Sequence, residues 1–424
     1  MVATSADPDT PDQYNLYFTL QWGFRIGTGL RPRRLKAVFD KLVKRHDSLR
    51  LQFVEQENVW VAEVLDDHPV GLQITDLSGA SADDRARWLE TLSQTPIRAH
   101  EEPCFEMHLI ACGGEGDVLV IRAHHTIIDG YGMVILIEDL LKLLFRMPLS
   151  GTGVSHKSFV TKIEEQTREN AEEKEKSWLD ALLPLPEDLR IGRVSRGLAP
   201  FKPQNMTKTI SVNALFSPEE SKALGKMASA AGVTEFSLIY VAFAEAICGL
   251  ADQNAAMICS WLGRHDSWAQ RFVGCDIRMV QQIYQRSELD LVQKAQEVTQ
   301  RLYEATERQP SDIFLPGSPF MDVLEAENRT LWRFQIHNAL PAARLNSSPF
   351  GKFFWSGMSN KISLGPISIE KLSFPKDCES RFELSVFVQQ FPDGPNAQLV
   401  ADAAAFDVDE LDALQARIKT VLFA

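Results

Sequence analysis

Between Leu30 and Phe53 the chain reads LRPRRLKAVFDKLVKRHDSLRLQF, with Leu35, Val38, Phe39, Leu42 and Val43 recurring at three- and four-residue steps. That spacing predicts an amphipathic helix. LRLQFV then reads as a strand, with VWVAEVL as its partner across a short turn. ADDRARWLETLSQTP predicts a helix that stops before Pro96. DVLVIRAHH alternates as a strand does, and the long apolar stretch GYGMVILIEDLLKLLF after it predicts a buried helix. FVTKIEEQTRENAEEKEKSWLDALL (Phe159–Leu183) predicts one charged amphipathic helix. The second half restarts with a strand, KTISVNALF, followed by SPEESKALGKMASAAG. There Ser217 is an N-cap, Pro218 takes the first helical position and Glu220 completes a capping box. TEFSLIYVAFAEAICGL predicts a buried helix and AAMICSWLGRHD a strand ending in a turn. LDLVQKAQEVTQRLYEATER and VDELDALQARIKTVLF are amphipathic helices. Strands and helices alternate from end to end, which places the chain in the α/β or α+β class.

The pattern breaks in PLPEDLRIGRVSRGLAPFKPQNM, which holds four prolines and two glycines. Such punctuation suits a crossover. It divides the chain into an N-terminal lobe at 1–183, a crossover at 184–206 and a C-terminal lobe at 207–424. The 424 residues fit two or three domains at roughly 100–200 residues each.

Composition narrows the function class. The net charge of −13 argues against nucleic acid as the main partner, because a polyanion needs a basic surface. None of the six cysteines forms a CxxC pair, which speaks against structural zinc. Reduced, partly buried thiols of a cytoplasmic protein are the expectation. The start, MVATSADPDTPDQ, has no apolar core for a signal peptide, and no run approaches the ~18 apolar residues of a membrane helix.

Only nine histidines occur, and two are adjacent in RAHHTIIDGYG (Arg122–Gly132). Side chains alternate faces along a strand. Val118, Val120, Arg122 and His124 therefore share one face, and Leu119, Ile121, Ala123 and His125 the other. His125 extends the wholly apolar row at the strand's C-terminal end, and its proton affinity suits acid–base work near neutral pH. Asp129 either orients His125, as the third member of a triad does, or turns away to brace the loop against an arginine. Gly130 and Gly132 permit unusual backbone angles or close approach of a ligand. Adjacent strand histidines do not converge on one metal ion, and no GxSxG, GxxxxGK[ST] or GxGxxG signature appears.

HHTIIDG (His124–Gly130) matches the HHxxxDG motif, and the chain thereby resembles the condensation-domain superfamily of nonribosomal peptide synthetases, which is related to chloramphenicol acetyltransferase. RHDSLRLQF (Arg45–Phe53), SWLDALLPLPEDL, WLGRHDSWAQRFVGC (Trp261–Cys275), RQPSDIF (Arg308–Phe314) and SRFELSVFV (Ser380–Val388) resemble further family segments in the same order. The opening segment and the late NPLFQ-like motif have no clear counterpart. The resemblance implies an α/β fold of two chloramphenicol-acetyltransferase-like lobes, arranged as a V-shaped pseudo-dimer with a tunnel between them. It makes His125 the catalytic histidine and Asp129 a structural residue paired with Arg264. Gly130 would line the substrate tunnel, while His124 is structural.

The resemblance further implies an acyltransferase that forms an amide or ester bond. The donor is an acyl or peptidyl thioester on the phosphopantetheine arm of a partner carrier protein, and no cofactor is bound to the chain itself. The acceptor is a carrier-bound or diffusible amine or alcohol. No membrane and no metal are expected, and the chain is taken to be a monomer. No carrier-type serine motif occurs, so the chain reads as a free-standing condensation enzyme or one domain of a larger synthetase. A CoA- or carrier-dependent O-acyltransferase and a non-catalytic partner-recruitment domain are the rival readings. An epimerisation domain would carry a glutamate near LGRHDSW, where this chain has His265 and Asp266.

Overall fold

Leu35, Val38, Phe39, Leu42 and Val43, the five positions at helical spacing, are the buried residues of the helix Pro32–Arg45. Pro32 sits at its first position, where a missing N–H costs nothing. This helix and the rest of the fold are seen in a computed structural model. It describes residues 12–27, 31–57, 59–101, 103–186, 209–262, 267–308, 319–326, 334–338, 353, 360–364, 367–372, 383–391 and 393–424. The chain forms two units, each with its own six-stranded sheet.

The first unit contains Met1–Lys162, Arg264–Asp276 and Ala343–Glu379. Its strands are β1 (Thr19–Ile26), β2 (Leu51–Gln56), β3 (Val59–Val64), β4 (Leu72–Asp76), β5 (Phe105–Ala111), β6 (Asp117–His124), β11 (Lys361–Leu364) and β12 (Ile367–Leu372). β2 and β3 form the expected hairpin. The sheet order is β11-β12-β1-β6-β5-β4. β4 and β5 run parallel because the helix Ala82–Gln94 carries the chain back between them, as a parallel pair requires. One sheet face packs Ile110, Val118 and Val120 under Trp88, Leu89 and Leu92 of that helix. The other packs Leu119, Ile121 and Ala123 against the helices Pro32–Arg45 and Gly130–Leu144. β6 is thus buried on both faces, with the alternation read from its sequence.

The second unit contains Ile163–Gly263, Ile277–Ala342 and Ser380–Ala424. Its strands are β7 (Thr209–Val212), β8 (Ala255–Leu262), β9 (Arg278–Gln285), β10 (Phe334–Asn338), β13 (Leu384–Phe391) and β14 (Gly394–Asp402), in the order β7-β14-β13-β10-β8-β9. Its main core joins the sheet to the helices Pro218–Ala231, Glu235–Ala251, Leu291–Arg308 and Val408–Phe423. Trp178, Leu182 and Phe320 cover Ala255 and Met257 on the opposite face. The Ser217–Glu220 capping box forms as read, and Asp407 and Glu410 make another.

Two features depart from the sequence reading. The charged stretch 159–183 is two helices, His156–Arg168 and Ala171–Leu182, because Asn170 adopts the left-handed conformation (φ 55°) that ends a helical run. The units also do not follow one cut at 184–206, of which 187–206 lies outside the described residues. The segment 264–276 leaves the strands of the second unit to join the first, and β12 pairs antiparallel with β1 in the first sheet. That pairing covers an edge of β1 that would otherwise expose its backbone groups. The five described cysteines are free thiols, and Cys378 lies outside the described residues. No single described helix is long and apolar enough to cross a membrane.

Candidate active site

The backbone of β6 places the two histidines differently. Its ladder to β1 ends with His124 opposite Thr19, and the next amide, His125 N–H, donates to Phe18 O at 2.7 Å. His124 is fully buried, whereas His125 stands half-buried in the turn that follows. The His124 amide donates to Cys104 O at 2.8 Å, and its Nδ1 accepts from the Thr126 amide at 3.3 Å and lies 2.9 Å from the Thr126 hydroxyl. This ring is fastened to the turn. The Phe18 ring lies beside both imidazoles, with centroid distances of 6.0 Å and 6.3 Å. Ile127 and Ile128 are buried in the core and anchor the turn from the other side.

Asp129 is the N-cap of the helix Gly130–Leu144, and its Oδ1 accepts the Gly132 amide. Its Oδ2 accepts the Asp276 amide at 2.8 Å, and its own amide donates to Gly274 O at 3.1 Å. The carboxylate thereby ties the start of the helix to the 274–276 strip. Arg264, the partner expected for Asp129, lies outside the described residues. Asp129→Ala removes a cap and the acceptor for a second amide. A loss of about 1–3 kcal/mol is expected from these two contacts, visible as a lower melting temperature in thermal unfolding. An unchanged melting temperature with lost activity would instead give Asp129 the triad role.

Gly130 is exposed and opens the helix. A Cβ there would meet no atom within 4 Å among the described residues. Neither local packing nor a left-handed backbone demands glycine at this position.

A second polar cluster, which the sequence reading did not pick out, fixes the same region. Asp139, fully buried on the helix Gly130–Leu144, accepts from Arg45 Nε at 2.9 Å, His46 Nε2 at 3.1 Å and Arg271 at 2.7 Å. Arg271 also reaches Glu138 at 3.0 Å, and Lys142 bonds Glu138 at 2.6 Å and Ser150 Oγ at 2.7 Å. Burial works to raise the Asp139 pKa, but the His46 hydrogen bond and the charges of Arg271 and Arg45 outweigh it, holding the carboxyl below its ordinary value. Burial lowers the His46 pKa against the pull of Asp139. A neutral His46 donating from Nε2 matches its Nδ1, which has no hydrogen-bond partner among the described residues. Phe272, fully buried, stacks on Phe159 at 4.0 Å, and a Cβ on Gly274 would collide with its ring.

These contacts explain RHDSLR residue by residue. Arg45 bonds Asp139 and the carbonyls of Ser150 and Gly151. His46 bonds Asp139, and the Asp47 carboxylate accepts the His156 amide at 2.8 Å and 2.9 Å. Arg50 bonds the carbonyls of Val43, Leu65 and Asp66. The whole segment is a fastener. The signal for its partners was present in the sequence as Glu138-Asp139, two acids inside a mostly apolar helix. Arg122 is likewise structural: it is buried on β6 against Glu106 and the Thr95 carbonyl.

A fold of two mixed α/β units, with HHxxxDG closing a buried strand and capping the next helix, defines a chloramphenicol-acetyltransferase-like architecture. The Condensation domain family model matches residues 11–312, and the chain belongs to that family. A plipastatin synthase polypeptide of Bacillus subtilis is 25% identical over 325 residues, covering 75% of this chain and 8% of that protein. The chain therefore spans a small part of such synthetase relatives. Among solved structures, the SgcC5 protein of Streptomyces globisporus, in complex with a naphthyl ethanediol and sucrose, is 19% identical. Its TM-score is 0.67, covering 98% of this chain and 94% of that one. A mutant starter condensation domain of rhizomide synthetase, in complex with C8-CoA and Leu-SNAC, is 15% identical, with a TM-score of 0.69 and coverage of 99% and 91%.

Proposed function

We propose that the chain transfers an acyl or peptidyl group from a carrier-protein thioester to an amine or hydroxyl acceptor. The acceptor nitrogen or oxygen attacks the thioester carbonyl, a C–N or C–O bond forms, and the C–S bond breaks. The acceptor's proton leaves and the phosphopantetheine thiol is released. His125 takes that proton, or holds the nucleophile and stabilises the tetrahedral intermediate. The observation that carries this reading is the contrast within the motif: His124 is buried and bonded to the turn, while His125 stays half-buried on a backbone fixed by Phe18.

Asp129 serves as a brace, with Arg264 as its proposed ion-pair partner, rather than as a proton relay. The support is that both carboxylate oxygens accept backbone amides. The space beside Gly130, free of atoms among the described residues, is kept for the donor's phosphopantetheine arm. Complexes of the structural neighbours hold a diol in one case and C8-CoA with Leu-SNAC in another, so both hydroxyl and amine acceptors fit this reading.

Gly130→Leu tests it. A Cβ at this exposed position meets no described atom within 4 Å, so the fold is expected to survive with an unchanged melting temperature. Discharge of a carrier-bound acyl thioester, followed by intact-protein mass spectrometry, is expected to fall at least roughly tenfold, the scale of a misplaced reactant. Unhindered discharge would remove Gly130 from the substrate path. A wild type that accepts acyl-CoA and ignores acyl-carrier thioesters would favour the CoA-dependent reading.

A further inference from the structure

The helix Asp12–Phe18 runs directly into β1, and its last residue stands beside the histidines that end β6. Two anchors fix this junction. Thr19 Oγ1 donates to Asn15 O at 2.8 Å and accepts the Ile97 amide at 2.9 Å. At the start of the helix, the Asp12 carboxylate accepts from Arg98 Nε at 2.8 Å and from Nη2 at 2.9 Å. Phe18 is 4% exposed, so its ring is packed as firmly as its backbone is held. Its carbonyl takes the His125 amide at 2.7 Å. Its ring lies tilted by 37° to the His124 imidazole and at 82° to that of His125. Tyr17 stands edge-on to the same ring at 5.1 Å.

We propose that Phe18 is a positioning residue for His125: its ring is the wall that holds the imidazole in the orientation used for transfer. The inference rests on the role proposed above for His125 and adds the group that aims it. The need for such a group follows from where His125 sits. β6 stops at His124, so His125 has left the ladder that would fix a strand side chain. The imidazole is half-buried. The χ2 torsion of histidine is broad and roughly two-fold, and a half-turn about it exchanges each ring nitrogen with a carbon. The bond from the His125 amide to Phe18 O fixes where the side chain starts but leaves both side-chain torsions open. A near-perpendicular aromatic pair with centroids 4.5–7 Å apart is a favoured arrangement, and the 6.3 Å and 82° of this pair fall within it. One residue thus holds His125 twice, through its carbonyl and through its ring. A side chain that only filled space here would be replaceable by any apolar group of similar size.

The test is a double-mutant cycle with a second readout that needs no turnover. Phe18→Leu and Phe18→Met keep an apolar side chain and remove the ring, and Met is the closer match in volume. Each is made in the full chain, alone and with His125→Ala, and assayed well below its melting temperature with an acyl-loaded carrier and an amine or alcohol acceptor. Expected is a kcat lower by about tenfold to hundredfold, the scale of a misplaced catalytic group, with KM for carrier and acceptor within about twofold. In the His125→Ala background the same substitutions should change the residual rate by less than about twofold, because the group they aim is gone. An unchanged kcat in both single variants overturns the proposal. So does an equal loss with and without His125, which would make Phe18 core packing alone. The second readout is NMR of the chain carrying ring-13C histidine, with the His125 signal identified by its loss in His125→Ala. It should be single and sharp in the wild type and split or broadened in Phe18→Leu and Phe18→Met. An identical signal in all three overturns the proposal whatever the rates. If the signal responds as expected while the wild type transfers nothing, Phe18 still orients His125 and the proposed chemistry falls.

Discussion

His125→Ala is expected to lower product formation by ~10²–10⁴-fold, the range that general acid–base help supplies, while the melting temperature stays at the wild-type value. The fold should tolerate the change because the half-buried imidazole sits past the last residue of β6, and its backbone bond to Phe18 does not involve the side chain. Alignment of donor and acceptor persists without the imidazole, so a residual rate above background is expected if holding the substrates contributes most. Steady-state kinetics with a loaded carrier and a saturating acceptor check it. Wild-type turnover in His125→Ala would strip the residue of its role. His124→Ala differs in kind, because it empties a buried position bonded to Thr126.

The second large effect concerns stability. Asp139→Ala is expected to cost about 3–5 kcal/mol, because it takes the counter-charge from the largely buried Arg45 and Arg271 and the acceptor from His46. Arg45, His46 and Arg271 all converge on this carboxylate, and its side chain is fully buried. Through Arg271 it anchors the 267–276 strip, which in turn holds the Asp129 cap. Denaturant unfolding followed by tryptophan fluorescence should show an early transition in Asp139→Ala. Transfer should fall as well, because the strip behind the HHxxxDG turn loosens. A loss under about 1 kcal/mol would mean that the remaining groups find water or new partners, and that the cluster is not the fastener of this region.

Much of the fold was legible because its burial is periodic. The stripe from Leu35 to Val43, the two-faced alternation of β6 and the Ser217–Glu220 box are local patterns, and the structure keeps each of them. The contrast between His124 and His125 has another origin than the strand alternation read for them: β6 stops at His124, and His125 already belongs to the turn. The Asp139 cluster was not legible. Its members are separated by 93 and 132 residues, and periodicity carries no information about which distant segments meet. Only the oddity of Glu138-Asp139 in an apolar helix pointed to it. The break at Asn170 escaped notice because one left-handed residue leaves the flanking helical periodicity intact. The pairing of β12 with β1 joins segments from opposite ends of the chain and is a property of the closed sheet.

The central claim is acyl transfer from a carrier thioester to a nucleophile, centred on His125. Its most direct test is intact-protein mass spectrometry of acyl-loaded carrier proteins mixed with the chain and a panel of amines and alcohols. The account predicts that the carrier loses its acyl mass only when an acceptor is present. A product should appear whose mass is that of the free acid plus acceptor less one water, and both changes should be abolished or nearly so by His125→Ala. A carrier that stays loaded with every acceptor, or that discharges equally with folded His125→Ala, would contradict it.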